Sequence, residues 1–231
     1  MPEWLQAWAD FILPGNAFHA CVAVGPLAIY LLLIGAINLA RRPLLVSGTR
    51  DAAALGLALS GLLLVGPVDL FFPNAITMHV ILLVRLLLLG FYVMCLVLVL
   101  LLLRPRLVIY NISVDQLRPV LAELVDKLDR EARWAGDSLV LPGLGVQLHL
   151  DSFAPLRNVS LAAVGAKQNY LGWRQLEVSL RAALSKVEGV RNRAGAAILL
   201  GVGALLVAWL VGGIANDPQA VAQRLLETLN L

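Results

Sequence analysis

LLLLGFYVMCLVLVLLLL, residues Leu86 to Leu103, runs directly into Arg104-Pro105-Arg106. Eighteen uncharged residues, at ~1.5 Å of helical rise each, nearly match the roughly 30 Å hydrocarbon core of a bilayer. Pro105 forbids continuation of that helix, and the two arginines are placed as interfacial anchors. The stretch also divides the chain. Most of what precedes it is apolar, whereas residues 104–190 carry charges at regular intervals.

Composition agrees with a membrane reading. The 231 residues are 60% hydrophobic and 14% charged, against roughly 45–50% and 25% in soluble domains. The mean hydropathy of +0.83 is that of a chain that uses lipid as part of its solvent. Net charge +3 comes from 15 Arg and 3 Lys against 15 acids. The excess of arginine over lysine is a compositional hint of a GC-rich bacterial genome. Cys21 and Cys95 both fall within apolar runs. There they read as small apolar fillers, which argues against a disulfide framework or a thiolate metal site.

Working outward toward the N-terminus, the third span begins near residue 76, so that 76–103 is longer than a bilayer needs and Arg85 interrupts it. Tilt or a protruding first turn absorbs the excess, and in the second case Arg85 can snorkel to the outer interface. The short uncharged connector Phe71-Phe72-Pro73-Asn74 makes an antiparallel hairpin with a second span, about 52–70, in which Ala52, Gly56 and Ser60 lie four apart. Such spacing lets a neighbouring helix approach closely. The first span, about 18–40, holds Pro26 and ends at Arg41-Arg42-Pro43. Before it, residues 1–17 place Trp4, Leu5, Trp8, Phe11 and Ile12 at helical spacing, which predicts an amphipathic helix in the membrane interface.

Residues 104–190 predict a small α+β domain. Arg106–Asn111 reads as a strand, and Ser113 with Gln116 forms a capping box. The helix this box opens has an apolar stripe of Leu117, Val120, Leu121, Leu124, Val125 and Leu128. Gly136-Asp137 is a turn, Ser138–Leu141 a strand, and Val146–Phe153 alternates apolar and polar residues as a half-buried strand does. Asn158–Val164 is a further strand. A second helix, 168–187, places Leu176, Leu180, Leu184 and Val187 on one face. This order predicts an antiparallel sheet with both helices on one side.

A fourth span follows, about 194–214. Ala197, Gly201, Ala204, Ala208 and Gly212 recur at intervals of four, three, four and four. They form a small-residue stripe suited to helix packing, within one chain or between copies. Asp217-Pro218 then opens an amphipathic C-terminal helix, 217–231. Residues 41–51 and 104–193 hold sixteen of the eighteen basic residues. With four spans these segments share a side. Arg41, Arg42, Arg104, Arg106, Arg191 and Arg193 therefore predict a cytoplasmic domain in an inner-membrane protein with both termini outside.

Asp69 and Arg85 are the opposite charges at membrane depth, on adjacent spans, and read as an interfacial ion pair or an element of an ion path. His149 and Asp151 share one face of a strand, as a general-base pair would, and as any solvated strand face would. Gly143-Leu-Gly145 is a turn that lacks the remainder of a phosphate-binding loop. Neither metal nor cofactor motif is present. The arginines on the two helices are interspersed with acids, unlike a nucleic-acid surface. The sequons at Asn111 and Asn158 fall on expected cytoplasmic strands. Together these features predict a non-enzymatic, multi-pass binding, regulatory or scaffold protein that acts through its α+β domain. Its expected partners are the bilayer and another protein, or a second copy through the fourth span. The alternatives are a small oligomeric channel or transporter using Asp69 and Arg85, and a membrane-surface enzyme using His149 and Asp151.

Overall fold

The computed structural model describes residues 17–71, 78–187, 192–216, 218–219 and 222–223, and the side chains of 66–71 and 78–82 lie outside that description. The interfacial helix expected over 1–17 and most of the expected 217–231 helix also lie outside it. Among the described residues four helices are long and apolar enough to cross a membrane, by length and composition. They are α1 (Ala17–Leu39), α2 (Gly48–Phe71), α3 (Met78–Leu102) and α6 (Arg193–Asn216). α1 continues helical through Pro26. The remaining elements are strands β1 (Leu44–Ser47), β2 (Arg106–Tyr110), β3 (Arg133–Ala135), β4 (Ser138–Leu141), β5 (Val146–Phe153) and β6 (Asn158–Ala163), with helices α4 (Val114–Leu128) and α5 (Tyr170–Leu184).

The chain divides into two compact units. One takes in the described residues up to Leu32, Leu55–Val97 and the chain from Leu200 onward; the other is Leu33–Ala54 with Leu98–Leu199. In the first unit, glycines set the closest approaches. A Cβ on Gly61 of α2 would stand 2.1 Å from the Val22 carbonyl oxygen of α1, so only glycine fits there. Gly56 lies under Leu96 of α3 and accepts a 2.6 Å hydrogen bond from the Tyr92 hydroxyl at its carbonyl. Gly203 of α6 lies against Leu32, which the second-unit end of α1 continues. Across Leu83–Leu102, by contrast, no residue is buried, the surface a lipid-facing helix presents.

The second unit is a six-stranded antiparallel sheet in the order β1-β2-β6-β5-β4-β3. Four of its strands and both helices stand where hydrophobic period and turn residues predict them. The other two, β1 and β3, are short edge strands without an alternating pattern long enough to read. β1 comes from the loop between α1 and α2, outside 104–190, and pairs with β2 from Leu44↔Tyr110 to Ser47↔Leu107.

Register explains why one face becomes the core. Leu45 lies opposite Ile109, which lies opposite Val159. Leu107, Leu161 and Leu150 form a second row, and Ala163, Leu148 and Leu139 a third. α4 covers these rows with Leu117, Leu121 and Val125, and α5 with Trp173, Leu176, Leu180 and Leu184, all in one hydrophobic cluster. A side chain this size contributes about 1.5–3 kcal/mol when fully buried. The Gln116 side chain accepts from the Ser113 N–H at 3.3 Å, as the capping box predicts. α5 begins two residues later than expected because Asn169 caps it, accepting from the Leu171 N–H at 3.0 Å.

Candidate functional site

The face of the sheet opposite the helices carries the polar groups. Ser138 of β4 is the cross-strand partner of His149 of β5, and its hydroxyl lies 3.0 Å from His149 Nδ1. On the other side of the ring, Asp151 Oδ1 is 3.6 Å from Nε2, an electrostatic contact longer than a hydrogen bond. Asp151 is opposite Ser160 of β6, whose hydroxyl accepts from Arg106 Nε at 2.8 Å. Serine, imidazole, carboxylate, serine and guanidinium thus cross four strands in a file. Period-two alternation puts His149 and Asp151 on this face, but only the β4–β5 register brings Ser138 to them.

The chemistry open to this file follows from its surroundings. An imidazole between a hydroxyl and a carboxylate can move a proton. Acyl transfer also needs donors aimed at a developing oxyanion and a cavity that excludes water. Here the His149 and Asp151 side chains are 41% and 64% exposed, and the N–H groups of a strand interior belong to the ladder. At the other end of this face Val108, Tyr110 and Ser160 are buried, and the Tyr110 hydroxyl donates to the Asp51 carboxylate at the start of α2.

A second constellation is made of asparagines. At the end of α1, Asn38 is fully buried, donates to Ile34 O at 2.9 Å and accepts the Asn192 N–H on its main-chain oxygen at 3.1 Å. Asn111, also fully buried, has φ 63° and donates its side-chain amide to Ala40 O. Asn192 caps α6 by accepting from Gly195 N–H at 3.1 Å, while its amide donates to Pro155 O at 3.0 Å. The Ile112 N–H donates to the carbonyl of Arg157, itself at φ 49°. The end of α1, the end of β2, the β5–β6 connection and the start of α6 are therefore hooked together by the side-chain amides of Asn111 and Asn192 and by main-chain bonds at Asn38 and Ile112. Asn38 reads in the sequence as a polar residue of the first span that could line a path, and Asn192 draws no notice. An asparagine one residue before an apolar helix is the N-cap signal that marks it.

In the first unit Arg85 comes within 3.5 Å of Nε2 of His19 on α1. Arg85 lies 17 residues before Leu102 and His19 20 before Leu39, which at ~1.5 Å per residue puts both about 25–30 Å from those helix ends. The Asp69 side chain lies outside the described residues. The stripe Ala197, Gly201, Ala204, Ala208 and Gly212 is exposed throughout, and a Cβ on Gly201 or Gly212 would meet open space. α6 packs within the chain through Ala196, Gly203 and Leu210 instead. Among the described residues no group of three His, Cys, Asp or Glu side chains could hold a metal ion. Comparison with protein-family models, with curated proteins and with solved structures finds no match.

Proposed function

We propose that the chain is a non-enzymatic, multi-pass regulatory or scaffold protein of the inner membrane, whose α+β domain binds a partner on the cytoplasmic side. The observation that carries this reading is the pairing of β1 with β2. The loop between two candidate spans supplies an edge strand, so the domain is continuous with the ends of α1 and α2 rather than hung on a linker. A domain held in this way transmits strain between a bound partner and the helices it is hooked to, through Asn38, Asn111 and Asn192. The same pairing supports a common side for residues 44–47 and 106–163, in agreement with the arginine asymmetry. Both termini are then outside. The exposed stripe on α6 supports self-association through the fourth span, where close backbone approach is open to a second copy.

Crosslinking of the detergent-solubilised protein, followed by identification of what co-purifies, tests the reading. A defined partner or homo-oligomer retained by the native chain is expected, with the homo-oligomer lost in Gly201→Leu. A reporter fused after Leu231 that behaves as cytoplasmic overturns the topology. Ion flux from the purified protein in liposomes, abolished by Asp69→Asn or Arg85→Gln, would favour a channel instead.

The contact of Ser138 with His149 supports a second reading, a hydrolase acting at the membrane surface. Its test is turnover of ester and phosphodiester substrates in detergent micelles. Turnover lost in both His149→Ala and Ser138→Ala would establish it, and equal rates in native and variant protein would remove it.

A further inference from the structure

The two helices that cover the sheet differ on their outward sides. Those positions on α4 are mostly polar, Asp115, Arg118, Glu123, Asp126 and Lys127 beside the small Pro119 and Ala122, and none of its large apolar side chains is exposed. That is an ordinary solvated face. α5 buries Trp173, Leu176, Leu180 and Leu184 on one side, yet on the other Leu171 is 75% and Val178 64% exposed, with Tyr170 at 73% beside them. Leu171 and Val178 are two helical turns apart and so share a stripe. Arg174 and Arg181 flank it at the spacing of adjacent turns. From Lys167 to Lys186 four basic residues face one acid, Glu177, which is ion-paired with Arg181 at 2.8 Å.

An apolar stripe bordered by lysine and arginine is the composition of a helix that lies in a bilayer interface. The sequence signal is concealed because the core stripe of the same helix dominates its periodicity. α5 also packs against β1, which is bounded by the end of α1 at Leu39 and the start of α2 at Gly48. In a chain anchored by its apolar helices, the basic residues of α5 complement the phosphates of an anionic headgroup layer.

We infer that the outward face of α5 seats on anionic lipid headgroups, with Leu171 and Val178 entering the interfacial layer and Arg174 and Arg181 meeting lipid phosphates. This rests on the membrane reading of the four apolar helices. The test uses the full chain with Cys21→Ser and Cys95→Ser and one new cysteine, Val178→Cys, carrying an environment-sensitive fluorophore. The protein is placed in phosphatidylcholine nanodiscs with or without phosphatidylglycerol and with nitroxide-bearing lipid as quencher; Glu123→Cys on α4 is the reference position.

With the anionic lipid present, the label at 178 is blue-shifted and quenched while that at 123 is neither. Arg174→Gln lowers the seating equilibrium roughly fivefold, the contribution of one basic residue near an anionic surface. Equal, unquenched labels at both positions overturn the inference. So does quenching that ignores lipid charge, and so does protection of 178 by a co-purified protein without lipid quenching. Release of the native protein from membranes by alkaline carbonate would instead overturn the membrane reading itself, so the two failures are distinguishable.

Discussion

Single side chains at the corners of the domain carry more than their size suggests. Asn111 combines a left-handed backbone with an amide that holds Ala40 O. Asn111→Gly keeps the backbone and loses the hook, whereas Asn111→Ala loses both. The expected costs are about 1–3 kcal/mol for the unpaired buried carbonyl and a further ~1 kcal/mol for alanine's left-handed strain. Denaturation of the two variants side by side measures the difference, and equal stabilities would refute it. Gln168 is a second such residue. Its amide bonds Gln147 N and O at 3.3 and 3.1 Å, reaches Val164 O, and accepts from the Trp173 indole at 2.8 Å. It extends the sheet where β6 has ended, so Gln168→Ala is expected to lose about 2 kcal/mol, read as a fall in the unfolding midpoint. Glu123 is fully exposed, and the hydrogen bond and charge of Lys127, with Lys186 adding to them, hold its carboxyl below the usual range. Its small contribution to stability is present above the ordinary carboxylate pKa and is lost as pH falls through the lowered folded value. Lys127→Ala should return the carboxyl toward its ordinary midpoint, as followed by NMR titration.

At the level of elements, legibility tracked length. α4 and α5 repeat their apolar period over four turns, and β5 alternates from Val146 to Asp151, so each declares its buried face unaided. β1 has four residues and β3 three, too few to establish a period; their identity as strands comes from the partner's ladder. Leu45, at 6% exposure, is nonetheless part of the core. Leu45→Ala is expected to cost about 2–4 kcal/mol and to make the 41–48 loop a site of proteolytic cleavage. An uncleaved, equally stable variant would show that β1 contributes nothing to the sheet. In the membrane-type helices the same contrast holds for glycine. Gly61 is irreplaceable beside Val22, whereas Gly201 and Gly212 have open space, and spacing alone does not distinguish these situations.

For the molecule as a whole, the consequence is that residues 104–190 are not self-sufficient. Without β1 they leave the β2 ladder open and the slot of Leu45 empty. A 104–190 fragment should therefore be less stable than one with residues 42–48 fused back by a flexible linker, by about 2 kcal/mol for the leucine alone. Equal melting of the two fragments would contradict this. The sequence by itself determined the four apolar helices, the break at Arg104-Pro105-Arg106 and the principal strands and helices of the α+β domain. These rest on local quantities, namely run length, period and turn residues, which a chain carries whatever it packs against. Only the tertiary structure decided that the loop at 44–47 joins the sheet, that Ser138 meets His149, that Arg85 approaches His19, and that buried asparagines hook the helix ends to the domain. Each of these is a contact between residues far apart in sequence or across a strand register. Such contacts depend on how faces already formed are brought together, and leave no periodic trace in the residues that make them.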